Sequence, residues 1–327
     1  MKVAILGAGS WGTALAIHLG RAGHDVLLWS RDPAVTAHIQ AKRTHPRRMR
    51  ETPLPAGVRA TASLPEGLAH SETAVIAVPC ASFRALFESM PERGLARRFL
   101  STAKGIEPDT LRRMSEIILE YRPAASVAAL SGPTFAEGVA RGDPSAAVVA
   151  DAGGGFARDL QAEFSDARLR LYTSDDLVGV ELAGALKNVV AIAAGIVAGL
   201  GFGPNTVAAL VTRGLSELGR IVLARGGQAR TVAGLAGVGD LLLTCTGSQS
   251  RNRRVGEEIG RGRKLAEILV EMPEVAEGAR TCLAVPRMAA EAGIEAPIAE
   301  AVVQVLYENV AAREAVERLM TRTLREE

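Results

Sequence analysis

Lys187 stands in a run, residues 177–200, that is apolar or small apart from Glu181, Lys187 and Asn188. A buried ammonium is costly unless a carboxylate pairs it or a polar cavity receives it. The chain uses arginine almost everywhere else: of 38 basic residues only Lys2, Lys42, Lys104, Lys187 and Lys264 are lysines. Guanidinium keeps its proton whereas ammonium can release one, so a lysine in an oily helix is a candidate proton donor and acceptor. The same feature also reads as a structural lysine paired with one carboxylate.

A second cluster of chemistry-bearing residues lies downstream. The glycine-punctuated stretch 231–239 leads to Asp240, and then comes Thr244-Cys245-Thr246-Gly247-Ser248-Gln249-Ser250-Arg251-Asn252-Arg253-Arg254. Hydroxyls, an amide and arginines packed into a glycine-containing turn are the donors a phosphate monoester requires. Nucleic acid would accept the same donors. The patch is short, lacks aromatic platforms and sits in a chain of formal charge +2, so a small phosphorylated ligand is expected and nucleic acid is not. Cys80, Cys245 and Cys282 are odd in number and widely spaced, which argues against a disulfide framework and for a reducing, cytoplasmic setting. The histidines, His18, His24, His38, His45 and His70, all lie in the first 70 residues, so neither a Cys-His nucleophile nor a metal site is expected.

These groups need elements to hold them. Residues 3–6 form an apolar strand that runs into Gly7-Ala8-Gly9-Ser10-Trp11-Gly12, followed by a helix over 13–19 and a second strand over 26–29. In this order the three glycines have separate tasks: Gly7 permits the turn, Gly9 lets backbone approach a pyrophosphate, and Gly12 lets helix and strand pack closely. The amides opening the helix favour a diphosphate. NAD-selective folds usually carry an acid at the end of the second strand; here Ser30-Arg31-Asp32 stands there. Arg31 suits a ribose 2′-phosphate and Asp32 a hydroxyl, so NADP is slightly favoured and NAD remains admissible. Further strands at 74–78, 99–102 and 126–130 end in small polar or Gly/Pro turns. That pattern is an open parallel sheet with Lys104 and Thr134 on its ligand-binding carboxyl rim. A last strand is expected at 146–149 and a helix at 156–164. The loop 41–55, with Lys42, Arg43, Arg47, Arg48 and Arg50, reads either as a phosphate clasp or as solvated surface.

Beyond Asp175-Asp176 the period changes to helical. The expected fold is α/β: a Rossmann-type doubly wound domain over 1–178, then an all-helical domain over 179–327. Helices are expected at 206–225 with Asn205 as cap, and at 264–271, 277–291, 298–309 and 311–322, with Pro286 bending or interrupting one of them. No segment approaches a clean transmembrane span, and integral membrane association is not expected. With 48% hydrophobic but only 4% aromatic residues, the core must be built from Ala, Leu, Val, Ile and tightly packed Gly. Apolar helices in the second half could leave a face for a second copy, so a homodimer fits, as does a monomer.

Six motifs, in order and spanning nearly the whole chain, resemble the bacterial type of NAD(P)-dependent glycerol-3-phosphate dehydrogenase. They are Gly7 to Ala14, Ala103-Lys104-Gly105-Ile106, Ser131-Gly132-Pro133-Thr134-Phe135-Ala136, Glu181 to Val189, Gly237-Val238-Gly239-Asp240-Leu241 and Ser250-Arg251-Asn252-Arg253. The resemblance implies reversible reduction of dihydroxyacetone phosphate to sn-glycerol 3-phosphate, which supplies the glycerophospholipid backbone. It also implies roles. Gly7, Gly9, Ser10, Trp11, Gly12, Arg31, Lys104, Ala136, Arg251, Val275 and Glu277 would bind cofactor. Lys104, Gly132, Thr134, Asn188, Thr244, Ser250, Arg251 and Asn252 would bind substrate. Lys187 would exchange the proton, with Asp240 beside it and Lys104 assisting. The family's Asn and Tyr before the Leu-Pro of the 41–55 loop are absent; His45, Arg47 and Arg48 stand there instead. The same motifs leave room for a related ketoacid or β-hydroxyacid reductase, or for a dinucleotide-binding sensor without turnover.

Overall fold

The computed structural model describes residues 1–91, 94–272 and 276–323. The chain divides into two compact units, the first comprising Met1–Ala103 and Arg113–Glu181, the second Lys104–Arg112 and Leu182–Glu327. The short segment after Ala103 therefore belongs with the helical half, although the strand before it belongs to the sheet.

In the first unit strands and helices alternate: β1 (Lys2–Leu6), α1 (Ser10–Arg21), β2 (Asp25–Trp29), α2 (Pro33–Lys42), β3 (Val58–Thr61), α3 (Leu64–His70), β4 (Thr73–Ile76), α4 (Phe83–Glu88), β5 (Arg98–Ser101), α5 (Met114–Tyr121), β6 (Ser126–Ser131), α6 (Ala136–Arg141), β7 (Ser145–Asp151), α7 (Phe156–Phe164) and β8 (Leu169–Ser174). The sheet order is β3-β2-β1-β4-β5-β6-β7-β8. Side chains alternate between two cores. Val3 and Ile5 pack on the face covered by α1, α2, α6 and α7, while Ala4 and Leu6 pack with Leu68, Phe83, Phe87 and Ile117 on the other. A strand buried on both faces has to be apolar throughout, which is why β1 reads as an unbroken apolar run. The strand order reverses at β1, which pairs with β2 on one side and β4 on the other. The glycine turn leaves the sheet at this switch point, where open α/β sheets bind ligands.

Three expectations about the sheet are corrected. β3 was not anticipated, the strand near 146–149 is not the last, and the sheet is not wholly parallel. β6 and β7 pair antiparallel, Ala128 opposite Asp151, and β8 then follows parallel to β7. The only helix between β6 and β7 has six residues, about 9 Å of length, too short to carry the chain back along a strand of about 20 Å. The missed strands are the two at the sheet edges. β3 places Arg59 in water, bonded to Asp25, and β8 alternates buried and exposed positions. Half-polar edge strands lack the continuous apolar run that betrays a central one.

Every regular element described in the second unit is helical: α8 (Leu177–Gly199), which crosses the boundary, then α9 (Pro204–Ala224), α10 (Ala229–Val232), α11 (Asp240–Thr246), α12 (Arg251–Gly260), α13 (Leu265–Glu271), α14 (Glu277–Thr281), α15 (Val285–Glu291), α16 (Pro297–Tyr307) and α17 (Ala312–Met320). A single turn of π-helix, Leu235–Gly239, leads into α11. The cap of α9 is Gly203, not Asn205, because Pro204 takes the first-turn position where its missing N–H costs nothing. The expected helix 277–291 is broken into α14 and α15, with Pro286 in the first turn of the latter. Contrary to expectation, the 23-residue α8 is long and apolar enough to span a bilayer, with an 18-residue stretch of mean hydropathy 1.7, but 89% of that stretch is buried inside the protein.

Glycines decide how α8 meets α12. A Cβ on Gly195 would stand 2.0 Å from the carbonyl oxygen of Arg253, and one on Gly199 2.2 Å from that of Glu257. In return, Cβ atoms on Gly256 and Gly260 would reach 2.1 and 2.4 Å from the carbonyls of Ile192 and Ile196. Two glycine pairs at four-residue spacing thus let the helix backbones touch. Replacement of Gly256 by Ala should force the helices apart and lower stability by about 1–3 kcal/mol or more in a denaturant titration. At Gly203, where a Cβ meets nothing within 4 Å, the same change should cost about 1 kcal/mol at most, the loss of a favourable helix cap.

Candidate active site

In the second unit, three elements bring three charged side chains together. Lys104 comes from the segment after β5, Lys187 from the middle of α8 and Asp240 from the first residue of α11. Lys187 Nζ donates to Asp240 Oδ1 at 2.7 Å, and Lys104 Nζ donates to Asp240 Oδ2 at 2.7 Å. One carboxylate is thus shared by two ammoniums. Asp240 side-chain exposure is 2% and that of Lys187 is 7%, whereas Lys104 remains 20% exposed and is the member that reaches solvent. Lys187 also donates to Thr244 Oγ1 at 2.6 Å, and that hydroxyl donates to the Asp240 carbonyl. Thr244 follows Asp240 by four residues, so one turn of α11 presents both to the lysine.

The electrostatics follow from burial and crowding. Burial pushes Lys187 down to about 8, and Lys104 pushes the same way while Asp240 opposes them. Burial alone would raise Asp240, yet Lys104 and Lys187 outweigh it and hold the carboxyl below its ordinary value. Cys245, on the same helix, is pushed up to about 12 by burial and stays a thiol. It offers no thiolate nucleophile. Among the described residues no group of three or more His, Cys, Asp and Glu is placed to hold a metal ion.

Beside this cluster runs a chain of amides. Asn188 Nδ2 donates to the Lys104 carbonyl at 2.9 Å, Asn252 Nδ2 donates to Asn188 Oδ1 at 2.9 Å, and the Gly278 amide donates to Asn252 Oδ1 at 3.0 Å. Both asparagines are buried. Their visible work is to tie the backbone at Lys104 to the first turns of α12 and α14. Ser250 is the N-cap of α12, accepting from the Arg253 amide, while Arg251 is exposed at the start of that helix. Glu277 opens α14 and its charge acts on Arg251. The donor-rich stretch 244–254, read from sequence as one turn, is the end of α11, a short connection and the start of α12. Val275, expected at the cofactor, lies outside the described residues.

The first unit holds the remaining expected cofactor residues. Gly7 has φ +123°, and a Cβ there would meet the Ala77 carbonyl at 2.5 Å; one on Gly12 would meet the Gly7 carbonyl at 1.9 Å. A Cβ on Gly9 would meet nothing within 4 Å, so the turn is tight on its protein side and open above Gly9. Ser10 and Trp11 begin α1, whose first amides have no partner within the helix, a fit for a diphosphate. Arg31 is exposed after β2. Asp32 instead caps α2 through the Ala34 amide and pairs with Arg47 at 2.5 Å. Gly132 adopts φ +140° against Ala147, Thr134 bonds back to the Gly132 carbonyl, and Ala136 opens α6.

Thr244, expected at the substrate, is bonded to Lys187, and its four-residue spacing from Asp240 is the sequence signal that puts both on one turn of α11. In the 41–55 loop His45 is buried against the glycine turn, its Nε2 2.9 Å from the Ala8 carbonyl. No local pattern announces that contact, which joins residues 37 positions apart.

Comparison with known proteins covers both units. A family model described as the N-terminus of NAD-dependent glycerol-3-phosphate dehydrogenase matches residues 2–155, and one described as its C-terminus matches residues 176–317. The chain is 49% identical over 327 residues to a glycerol-3-phosphate dehydrogenase, NAD(P)+, of Koribacter versatilis, covering 98% of this chain and 97% of that protein. Among solved structures, glycerol-3-phosphate dehydrogenase from Coxiella burnetii aligns with TM-score 0.93 at 37% identity, covering 98% of this chain and 99% of that one. That from Saccharomyces cerevisiae aligns with TM-score 0.82 at 26% identity, covering 97% and 98%.

The shared carboxylate generates a stability test. Asp240→Asn leaves two ammoniums facing a neutral amide, and removing one partner of a buried ion pair costs about 3–5 kcal/mol. Chemical denaturation at pH 7 should show a loss of that size. At pH 10 the loss should shrink, because Lys187, with its value already near 8, is then neutral in both proteins.

Proposed function

The chain belongs to the NAD(P)-dependent glycerol-3-phosphate dehydrogenase family and interconverts dihydroxyacetone phosphate and sn-glycerol 3-phosphate, and we propose that Lys187 is the group that exchanges the proton. The observation that carries this reading is the buried Lys187–Asp240–Lys104 cluster. When bound, the reduced nicotinamide supplies the hydride that the C2 carbonyl carbon accepts. Lys187 then delivers a proton to the oxygen that becomes the hydroxyl, and Asp240 and Thr244 orient the ammonium for that transfer. In the oxidative direction the neutral amine takes the proton back. A value near 8 suits both tasks, since each protonation state is populated close to neutral pH.

The cluster carries two positive charges and one negative. The surplus sits on the more exposed Lys104, where it attracts an anionic substrate and stabilises developing negative charge on the same oxygen. Arg251 and Ser250, at the start of α12, are the proposed holders of the phosphate, with the Asn188–Asn252 relay keeping that start in register with Lys104. Binding energy from the remote phosphate then positions the carbonyl. The first unit carries the dinucleotide at the glycine turn. We assign both NADP and NAD as usable, with NADP favoured: Asp32 is already bonded to Arg47 and its helix cap, which leaves Arg31 as the residue at the end of β2 that a 2′-phosphate would meet.

Initial rates with dihydroxyacetone phosphate and either NADH or NADPH test the substrate assignment, and no turnover with either would reject it. Lys187→Ala should lower kcat by about 10²–10⁴-fold while changing the dinucleotide Kd less than about twofold; parallel loss of cofactor binding would mark a structural lysine. The kcat of reduction should fall as pH rises through about 8, and that of oxidation should rise over the same interval. Arg31→Ala should weaken NADPH by at least about tenfold and leave NADH nearly unchanged.

A further inference from the structure

The loop that departs from the family pattern is built as a strap around the glycine turn. Its neck closes where the Leu54 amide donates to the Arg43 carbonyl and the Arg43 guanidinium donates to the carbonyls of Leu54, Pro55 and Val58. Its far side is held by His45. The imidazole is 3% exposed, and both of its nitrogens face backbone. Nδ1 accepts from the amides of Arg47 and Arg48, at 3.1 and 3.0 Å, so the lone pair is on that nitrogen. The proton is therefore on Nε2, which donates to the carbonyl of Ala8, between Gly7 and Gly9. Arg47 in turn pairs with Asp32 at the start of α2. One neutral side chain thus fixes the phosphate turn, and with it the two cationic residues that follow in the loop.

We propose that His45 is a positioning residue for dinucleotide binding, and that its protonation releases the arginine loop from the glycine turn and weakens the cofactor site in mild acid. The proposal rests on the reading of the Gly7–Gly12 turn as the diphosphate site. Its chemistry is direct. An imidazolium carries a proton on both nitrogens, and a proton on Nδ1 would point at the two amide donors from which that nitrogen accepts in the neutral form. The charged groups around the ring act in the same sense: burial lowers the value of His45, and Arg48, Arg47 and His38 lower it further, while only the bond to Ala8 opposes them. The folded-state value is thus below that of an ordinary histidine. The anchored state is complete near neutral pH and is lost as pH falls through that lowered value. A carboxylate beside the ring would act in the opposite sense; the charged groups that act on it are Arg48, Arg47 and His38.

The probe is NAD+, whose diphosphate keeps constant charge between pH 5 and 8, with binding read from quenching of tryptophan fluorescence. In the wild-type protein the Kd should rise about tenfold between pH 7.5 and pH 5, the loss of about one charge-sensitive hydrogen bond. His45→Gln retains a donor able to reach Ala8 but cannot titrate, so its Kd should vary less than about threefold over the same range. His45→Ala should bind about five- to tenfold more weakly at pH 7.5. A wild-type Kd that stays constant, or a rise of equal size in His45→Gln, overturns the proposal. So does unchanged affinity in His45→Ala. Circular dichroism at each pH checks that the proteins remain folded, and if His45→Ala does not fold, the wild-type and His45→Gln profiles decide alone. Absence of NAD+ binding at every pH would instead overturn the reading of the turn itself.

Discussion

Two ammoniums sharing one buried carboxylate set the terms for the rest of the second unit. Asp240 can be ionised in the interior only because Lys104 and Lys187 each give it a short hydrogen bond. Lys187 can be a low-affinity holder of its proton only because burial and the neighbouring Lys104 work against Asp240. Each partner therefore depends on the placement of the others, and three elements distant in sequence must meet with little tolerance. The π-turn Leu235–Gly239 contributes by running directly into α11 and so setting the place of Asp240, its first residue.

The tolerance is kept small by backbone packing. Where α8 crosses α12 four glycines let main chain meet main chain, so the distance between the helices at those points is set by atoms that have no rotamers to adjust. The start of α12 is thereby fixed relative to the middle of α8, and the Asn188–Asn252–Gly278 relay fixes it again by hydrogen bonds. The glycine turn of the first unit uses the same device: Gly7 and Gly12 leave no room on the protein side, and Gly9 keeps the ligand side open.

Not every buried charge in the chain is chemistry. Glu181, one of the three polar residues of the oily run, accepts from the Ser115 amide and hydroxyl and from Arg113. Glu217 accepts from the amides of Ile298 and Ala299. Burial raises the value of both, yet each is an acceptor at a helix end with its bonds already made, Glu181 to one amide, a hydroxyl and a guanidinium and Glu217 to two amides. Lys187 differs because a second cation, Lys104, competes for the same carboxylate.

Local pattern determined much about this protein. The strand, glycine turn and helix at the N-terminus, the unbroken apolar runs of the central strands, the change to helical period after residue 175 and the lysine isolated in an apolar run are all properties of neighbouring residues, which is why they were legible. Edge strands β3 and β8, the antiparallel β7 and the glycine cap of α9 were not, since partial exposure, chain reversal and the competition between Pro204 and Asn205 depend on surroundings that a short window does not contain. The motif resemblance put Lys187 and Asp240 in one group. Only the folded chain decided that Lys104 shares the same carboxylate, that Thr244 serves the lysine, that Asn252 is engaged in a relay, and that His45 reaches back to Ala8. Those facts are distances between residues 37 to 136 positions apart, and such distances are created by the packing of helices and sheet, a long-range property that no local spacing encodes.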